Sequence, residues 1–267
     1  MKNAALSCLK FLGFFLGWAL TASLLPLPEA ADPAVWRFWA ELMPLLAILV
    51  FTVLFWLLEG RTIHLRLLGS PVRGLLTGGA AGICWLALPT LAMYATGLIR
   101  FDGVNTVERF PLWLLSAFLN VIMQELLVRG YLYQMLKARH NIWAAAIATT
   151  ALFTLLHGGA FEAGLVPVLN VLTMSLLMTA LLEYTGSLVA PTVTHFIWNG
   201  AGALVLGGVS LADDYPHLLN MTFSGNALLS GGACKIEGSL FVLLVNIALL
   251  ALFLVLSRRR ADHAWQA

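Results

Sequence analysis

Residues 110–137 read FPLWLLSAFLNVIMQELLVRGYLYQMLK, and only Glu125, Arg129 and Lys137 among them are charged. A membrane span needs about 20 mostly apolar residues to cross ~30 Å of hydrocarbon, so this stretch can pass through a bilayer as one helix. It is too long and too evenly apolar for a barrel strand. Working outward, further apolar segments fall at 9–28, 41–58, 74–99, 142–161, 165–183, 187–207 and 239–257. Together they predict an all-α, polytopic membrane bundle of about eight transmembrane helices, because only helices and closed barrels satisfy the backbone in lipid. The chain reads as a single integral membrane domain over 1–267, without an internal repeat. Its longest break is a Gly-, Asp- and Asn-rich loop at 208–238.

Composition agrees with the segments. Apolar residues make up 60% of the 267 and charged residues 10%, against roughly a quarter charged in soluble domains; the mean hydropathy is +0.89. A net charge of +2 gives no reason to expect a nucleic-acid partner. The basic residues divide unevenly instead. Lys2, Lys10, Arg61, Arg66, Arg73, Lys137, Arg139, Arg258, Arg259 and Arg260 fall on one side, Arg37, Arg100, Arg109 and Lys235 on the other. The positive-inside rule then places both termini in the cytoplasm, which an even number of spans allows. The Met-Lys start and the apolar run from Phe11 to Leu25 resemble a signal peptide, but the weak site at Ala30-Ala31 favours an uncleaved first span. Cys8, Cys84 and Cys234 are too widely spaced for a metal motif. The glycines Gly74, Gly78, Gly79 and Gly82 predict close helix packing, and Trp36, Trp39, Trp113 and Trp143 predict interfacial anchors.

Three spans carry polar residues away from their ends. The fourth holds Asn120, Gln124, Glu125 and Arg129; the fifth ends in Phe153-Thr-Leu-Leu-His157; the seventh contains His195-Phe-Ile-Trp-Asn199. An ionisable group within a span costs at least ~2.5–3.5 kcal/mol on insertion scales and marks a functional-site hypothesis. Glu125 and Arg129, like His195 and Asn199, are four residues apart and can share a helix face. A carboxylate, two imidazoles and an amide make a hydrolytic kit. The carboxylate or a His takes a proton from water, a His can instead hold a metal, and His or Asn stabilises an oxyanion.

These residues resemble the motifs of the CPBP family, the CAAX proteases and bacteriocin-processing enzymes also called the Abi family of intramembrane metalloproteases, which includes the type II CAAX prenyl endopeptidase. The family marks are Glu-Glu-x-x-x-Arg, Phe-x-x-x-His and His-x-x-x-Asn. This chain has Gln124-Glu125-Leu-Leu-Val-Arg129, Phe153-Thr-Leu-Leu-His157 and His195-Phe-Ile-Trp-Asn199, in that order, within a core at 110–202. The resemblance implies an eight-helix fold and an endopeptidase acting on membrane-associated or prenylated-type substrates. It implies that a Glu of the first motif and His157 activate water, that His195 and Asn199 form the oxyanion hole, and that Arg129 anchors the Glu motif. Two chemistries stay open: a bound zinc, for which His157 and His195 are the candidate ligands, or a metal-independent, glutamate-based mechanism.

Gln124 stands where the family pattern has its first Glu, usually the general base, and an amide cannot take a proton. Either Glu125 serves in its place, or the chain is a catalytically impaired member acting as a membrane immunity factor or scaffold. A transporter would be expected to show paired half-helices or repeat halves. Compact size and the lack of an ER-retention or transit signal point to a bacterial cytoplasmic membrane, with peptide or protein substrates and the lipid bilayer as partners.

Overall fold

The computed structural model describes residues 2–264; Met1, part of the signal-peptide reading, lies outside them. The first helix, α1 (Lys2–Leu24), turns Leu9, Leu16, Leu20 and Leu24 outward, an apolar face suited to lipid. Asp32 starts α2 (Pro33–Leu58): its Oδ1 accepts from the amides of Ala34 and Val35 at 3.0 and 3.1 Å, and proline at the first helical position needs no hydrogen bond. This cap begins α2 eight residues before the expected 41, and so draws Arg37 and Glu41 into the helix.

The chain continues through α3 (Pro71–Ala95), β1 (Ile99–Val104) and α4 (Phe110–Glu125). Next come a π-helical segment, π1 (Leu126–Leu132), then α5 (Tyr133–Arg139), α6 (Ile142–Leu156), α7 (Gly159–Ala163) and α8 (Leu165–Thr185). After α9 (Val189–Phe196) comes a second π segment, π2 (Ile197–Val205), followed by β2 (Leu219–Phe223), α10 (Ala227–Ser230), a 3-10 turn at Gly232–Gly238 and α11 (Leu240–Ala264). Among the described residues, six stretches are long and apolar enough to cross a membrane: Ala4–Leu24, Pro33–Leu58, Pro71–Ala95, Phe110–Arg139, Leu165–Thr185 and Gly232–Arg260. The protein is an all-α, multi-pass membrane protein. The expected segments at 142–161 and 187–207 fall short of that length, because α6 has 15 residues and the second divides into 8 of α-helix and 9 of π-helix. Inside the expected loops, β1 and β2 pair antiparallel from Ile99 opposite Phe223 to Val104 opposite Leu219, so backbone groups outside the helices satisfy one another.

Two units emerge, residues 2–67 with 109–152 and residues 68–108 with 153–264; the division falls within α6. In the first unit, Phe14 of α1 packs edge-on against Phe51 and Phe55 of α2, and Tyr131 of π1 joins them with its ring 5.0 Å from Phe14. Trp113 is buried here rather than sited as an interfacial anchor, whereas Trp36 and Trp143 are exposed. At the end of α2, Glu59 takes hydrogen bonds from Lys10 at 2.7 Å, Tyr131 at 2.9 Å and Arg139. Its side chain is only 2% exposed. Burial pushes the Glu59 carboxyl up, but the bonds from Lys10, Arg139 and Tyr131 together outweigh it and hold the group below the usual carboxylate range.

In the second unit, α3 packs against the helix that carries His195. A Cβ on Gly78 would collide with the Ala190 carbonyl oxygen, and one on Gly82 would lie 2.9 Å from Ile197 and 3.1 Å from the Thr194 backbone. Gly74 is similarly close to Val189, at 3.0 Å, but Gly79 faces open space. Expected close packing holds for three of these glycines and fails for Gly79, which lies off the contact face. Buried polar groups tie the remaining helices. Trp85 Nε1 donates to Asn246 at 2.5 Å, Asn246 Nδ2 donates to the Asn170 carbonyl at 3.1 Å, and Asn170 Nδ2 donates to the Glu237 and Ser239 carbonyls at 2.7 and 3.0 Å.

Two stability measurements test these contacts. Glu59→Gln should lower the thermal midpoint in detergent at pH 7, by the equivalent of about 3 kcal/mol for a broken buried pair. Because the folded pKa is depressed, the stabilisation is present above the unfolded value. The gap between variant and parent should therefore close as pH falls through the folded value. Gly78→Ala should destabilise by about 1–3 kcal/mol through overpacking. Gly79→Ala should be neutral or stabilising by up to about 1 kcal/mol from helix propensity.

Candidate functional site

The Glu motif lies in the first unit, at a change of helical register. Beyond Glu125 the backbone leaves α-geometry: the Tyr133 amide reaches the Val128 carbonyl, an i→i+5 bond. Such π segments are rare and recur at functional sites. Glu125 Oε2 and Arg129 Nη1 form an ion pair at 2.8 Å, and both side chains are fully buried. The four-residue spacing read from sequence therefore makes the expected contact. Removing one partner would leave a buried charge uncompensated, the costly way to break such a pair.

Gln124 faces a different neighbour. Its Nε2 donates to Asn120 Oδ1 at 2.5 Å, Asn120 Nδ2 donates to Glu41 Oε2 at 2.7 Å, and Arg37 Nη1 donates to Glu41 Oε1 at 3.2 Å. Glu41 is buried in α2. The sequence reading missed it because the span was expected to begin at residue 41. Two signals could have found it: the Asp32-Pro33 start signature and the four-residue spacing of Arg37 and Glu41.

The His motifs lie in the second unit. His157 follows the last residue of α6, where terminal carbonyls lack intrahelical partners. Its Nδ1 lies 2.8 Å from the Phe153 carbonyl oxygen. A carbonyl only accepts, so Nδ1 carries the proton, and in the neutral ring Nε2 is the basic nitrogen. The ring of Phe153 stands 4.3 Å from that of His157 and 6.2 Å from that of His195, edge-on to the latter. One buried aromatic thus contacts both imidazoles.

His195 is buried in α9, where the neighbouring Thr194 hydroxyl donates to the Gly78 carbonyl at 3.0 Å. Asn199 is buried in π2, whose i→i+5 pattern shows in the 2.9 Å bond from the Leu206 amide to the Ala201 carbonyl. Between them, Trp198 stacks on Trp85 at 4.1 Å and points Nε1 at Glu237, 3.4 Å away. The third motif is held by an indole pair, which its spacing did not indicate. Among the described residues no three His, Cys, Asp or Glu side chains form a metal-holding group.

Arg129→Met should destabilise the protein by about 3–5 kcal/mol in thermal or denaturant unfolding, since Glu125 stays buried without its partner. Replacing both Glu125 and Arg129 by Met should recover most of that loss, because an apolar pair fills the same space without a charge to bury.

Residues 106–201 match the family model described as "Type II CAAX prenyl endopeptidase Rce1-like". No curated protein and no solved structure matches the chain. The matched residues contain all three polar motifs, from Gln124 to Asn199, and over this segment the chain is similar to that family.

Proposed function

We propose that the protein is an active intramembrane endopeptidase of the cytoplasmic membrane of a bacterium, with both termini inside. It hydrolyses peptide bonds of membrane-associated or prenylated-type substrates. The observation that carries this reading is the fixed tautomer of His157, with Nδ1 committed to the Phe153 carbonyl inside a segment that matches a peptidase family.

In this reading His157 takes a proton from water through Nε2, and Glu125 shares that work in place of a carboxylate at position 124. The hydroxide adds to the scissile carbonyl. His195 and Asn199 donate to the oxyanion, and the His157 imidazolium then passes its proton to the leaving amine. Gln124 leaves the proton-accepting role to these two groups.

The test is turnover of quenched fluorescent peptides by purified protein in lipid vesicles. His157→Ala should reduce kcat by about 10²–10⁴, the usual worth of a general base. His195→Ala and Asn199→Ala should each cost about 10²–10³, the worth of an oxyanion donor. Glu125→Ala should also abolish measurable turnover. Activity surviving all four changes would sink the assignment.

A further inference from the structure

The Arg37–Glu41–Asn120–Gln124 chain contains two amides, and an amide can be turned to present either its oxygen or its nitrogen. Here the ends decide. Glu41 faces Arg37 at 3.2 Å, and an ionised carboxylate only accepts hydrogen bonds. Asn120 must therefore offer it Nδ2, which leaves Oδ1 toward Gln124. Gln124 must then offer Nε2, and its remaining polar atom is an acceptor. That atom, Oε1, is buried and has no hydrogen-bond partner among the described residues. An unsatisfied buried acceptor costs about 1–3 kcal/mol. The whole chain of donors points toward Glu41 and fixes this orphan as its far end.

We propose that Glu41 is a positioning residue that, through Asn120, holds Gln124 Oε1 as a fixed acceptor for the attacking water. The proposal rests on the peptidase reading and supplies a use for the amide at the position of the missing family Glu. Gln124 takes no proton; it receives one O–H of the water and orients the oxygen lone pair toward the substrate carbonyl. The other O–H gives its proton to the base of the proposed reaction, so the step balances without a carboxylate at 124. A glutamine that orients an attacking water without deprotonating it is known chemistry in nucleotide hydrolysis.

Three variants separate this from packing. Asn120→Leu removes the link, so Gln124 is free to turn. Asn120→Asp sets a second carboxylate against Glu41. The double variant Glu41→Gln with Asn120→Asp exchanges amide and carboxylate between the two positions. The amide introduced in α2 then donates to the carboxylate introduced in α4, and that carboxylate still accepts from Gln124 Nε2. Peptide kinetics in vesicles should show kcat lowered about tenfold or more in both single variants with KM within about twofold, and kcat restored in the double variant.

A second readout is independent of activity. In 15N-glutamine-labelled protein, the Gln124 side-chain amide protons should exchange slowly in the parent and the double variant, and quickly in Asn120→Leu. Equal exchange in the parent and Asn120→Leu overturns the orientation claim. Slow exchange with unchanged kcat in Asn120→Leu overturns the role in positioning water. So does a shift in KM alone, or failure of the double variant to recover kcat. If the parent shows no turnover that His157→Ala removes, the peptidase reading falls and the water role with it. The exchange pattern then still decides the orientation.

Discussion

Hydrocarbon offers a helix no water to complete its hydrogen bonds, and the candidate site side chains of this protein are placed by how their helices meet that constraint. Two helices change register through π segments directly after Glu125 and Phe196. A third stops, and His157 completes the bonding of the carbonyl its helix leaves open. The same side chain thereby acquires a defined tautomer. One hydrogen bond satisfies the backbone carbonyl and, in the proposed reaction, leaves Nε2 as the proton acceptor.

Polar groups in the interior follow the same economy. Glu125 has Arg129, Glu59 has two cations and a phenol, and Asn246 and Asn170 pass donors from helix to helix. Buried polar groups of this kind specify one arrangement, because each alternative leaves a donor or acceptor without a partner. Gln124 Oε1 in the first motif lacks a hydrogen-bond partner, as do Asn170 Oδ1 and Arg139 Nε in the other networks.

Much of this could be read before the fold was seen. Apolar length identified the long helices, and spacing paired Glu125 with Arg129 and grouped Phe153 with His157. What stayed hidden depended on where elements begin and end. Glu41 looked like a span terminus because the Asp32 cap was not read as a helix start. Glu59 looked like one charge among several in a loop, since its partners lie 49, 72 and 80 residues away. The π segments leave no periodic trace, because one extra residue in a turn is smaller than the scatter of an apolar pattern. Gly79 carried the same small-residue signal as Gly78, and only the contact face distinguishes them.

The Glu59 junction also bears on how the chain is made. Lys10 is synthesised first, and its carboxylate follows 49 residues later. Arg139 emerges a further 80 residues on, which at ordinary elongation rates is roughly 4–16 s. During that interval the first two helices can already be joined by one ion pair, with one of the two cationic partners in place. Arrival of Arg139 then closes the carboxylate from a second side, and the nascent pair becomes a three-part clasp. The junction is thus a latch set in two stages, and the order of its stages is written into the order of the chain.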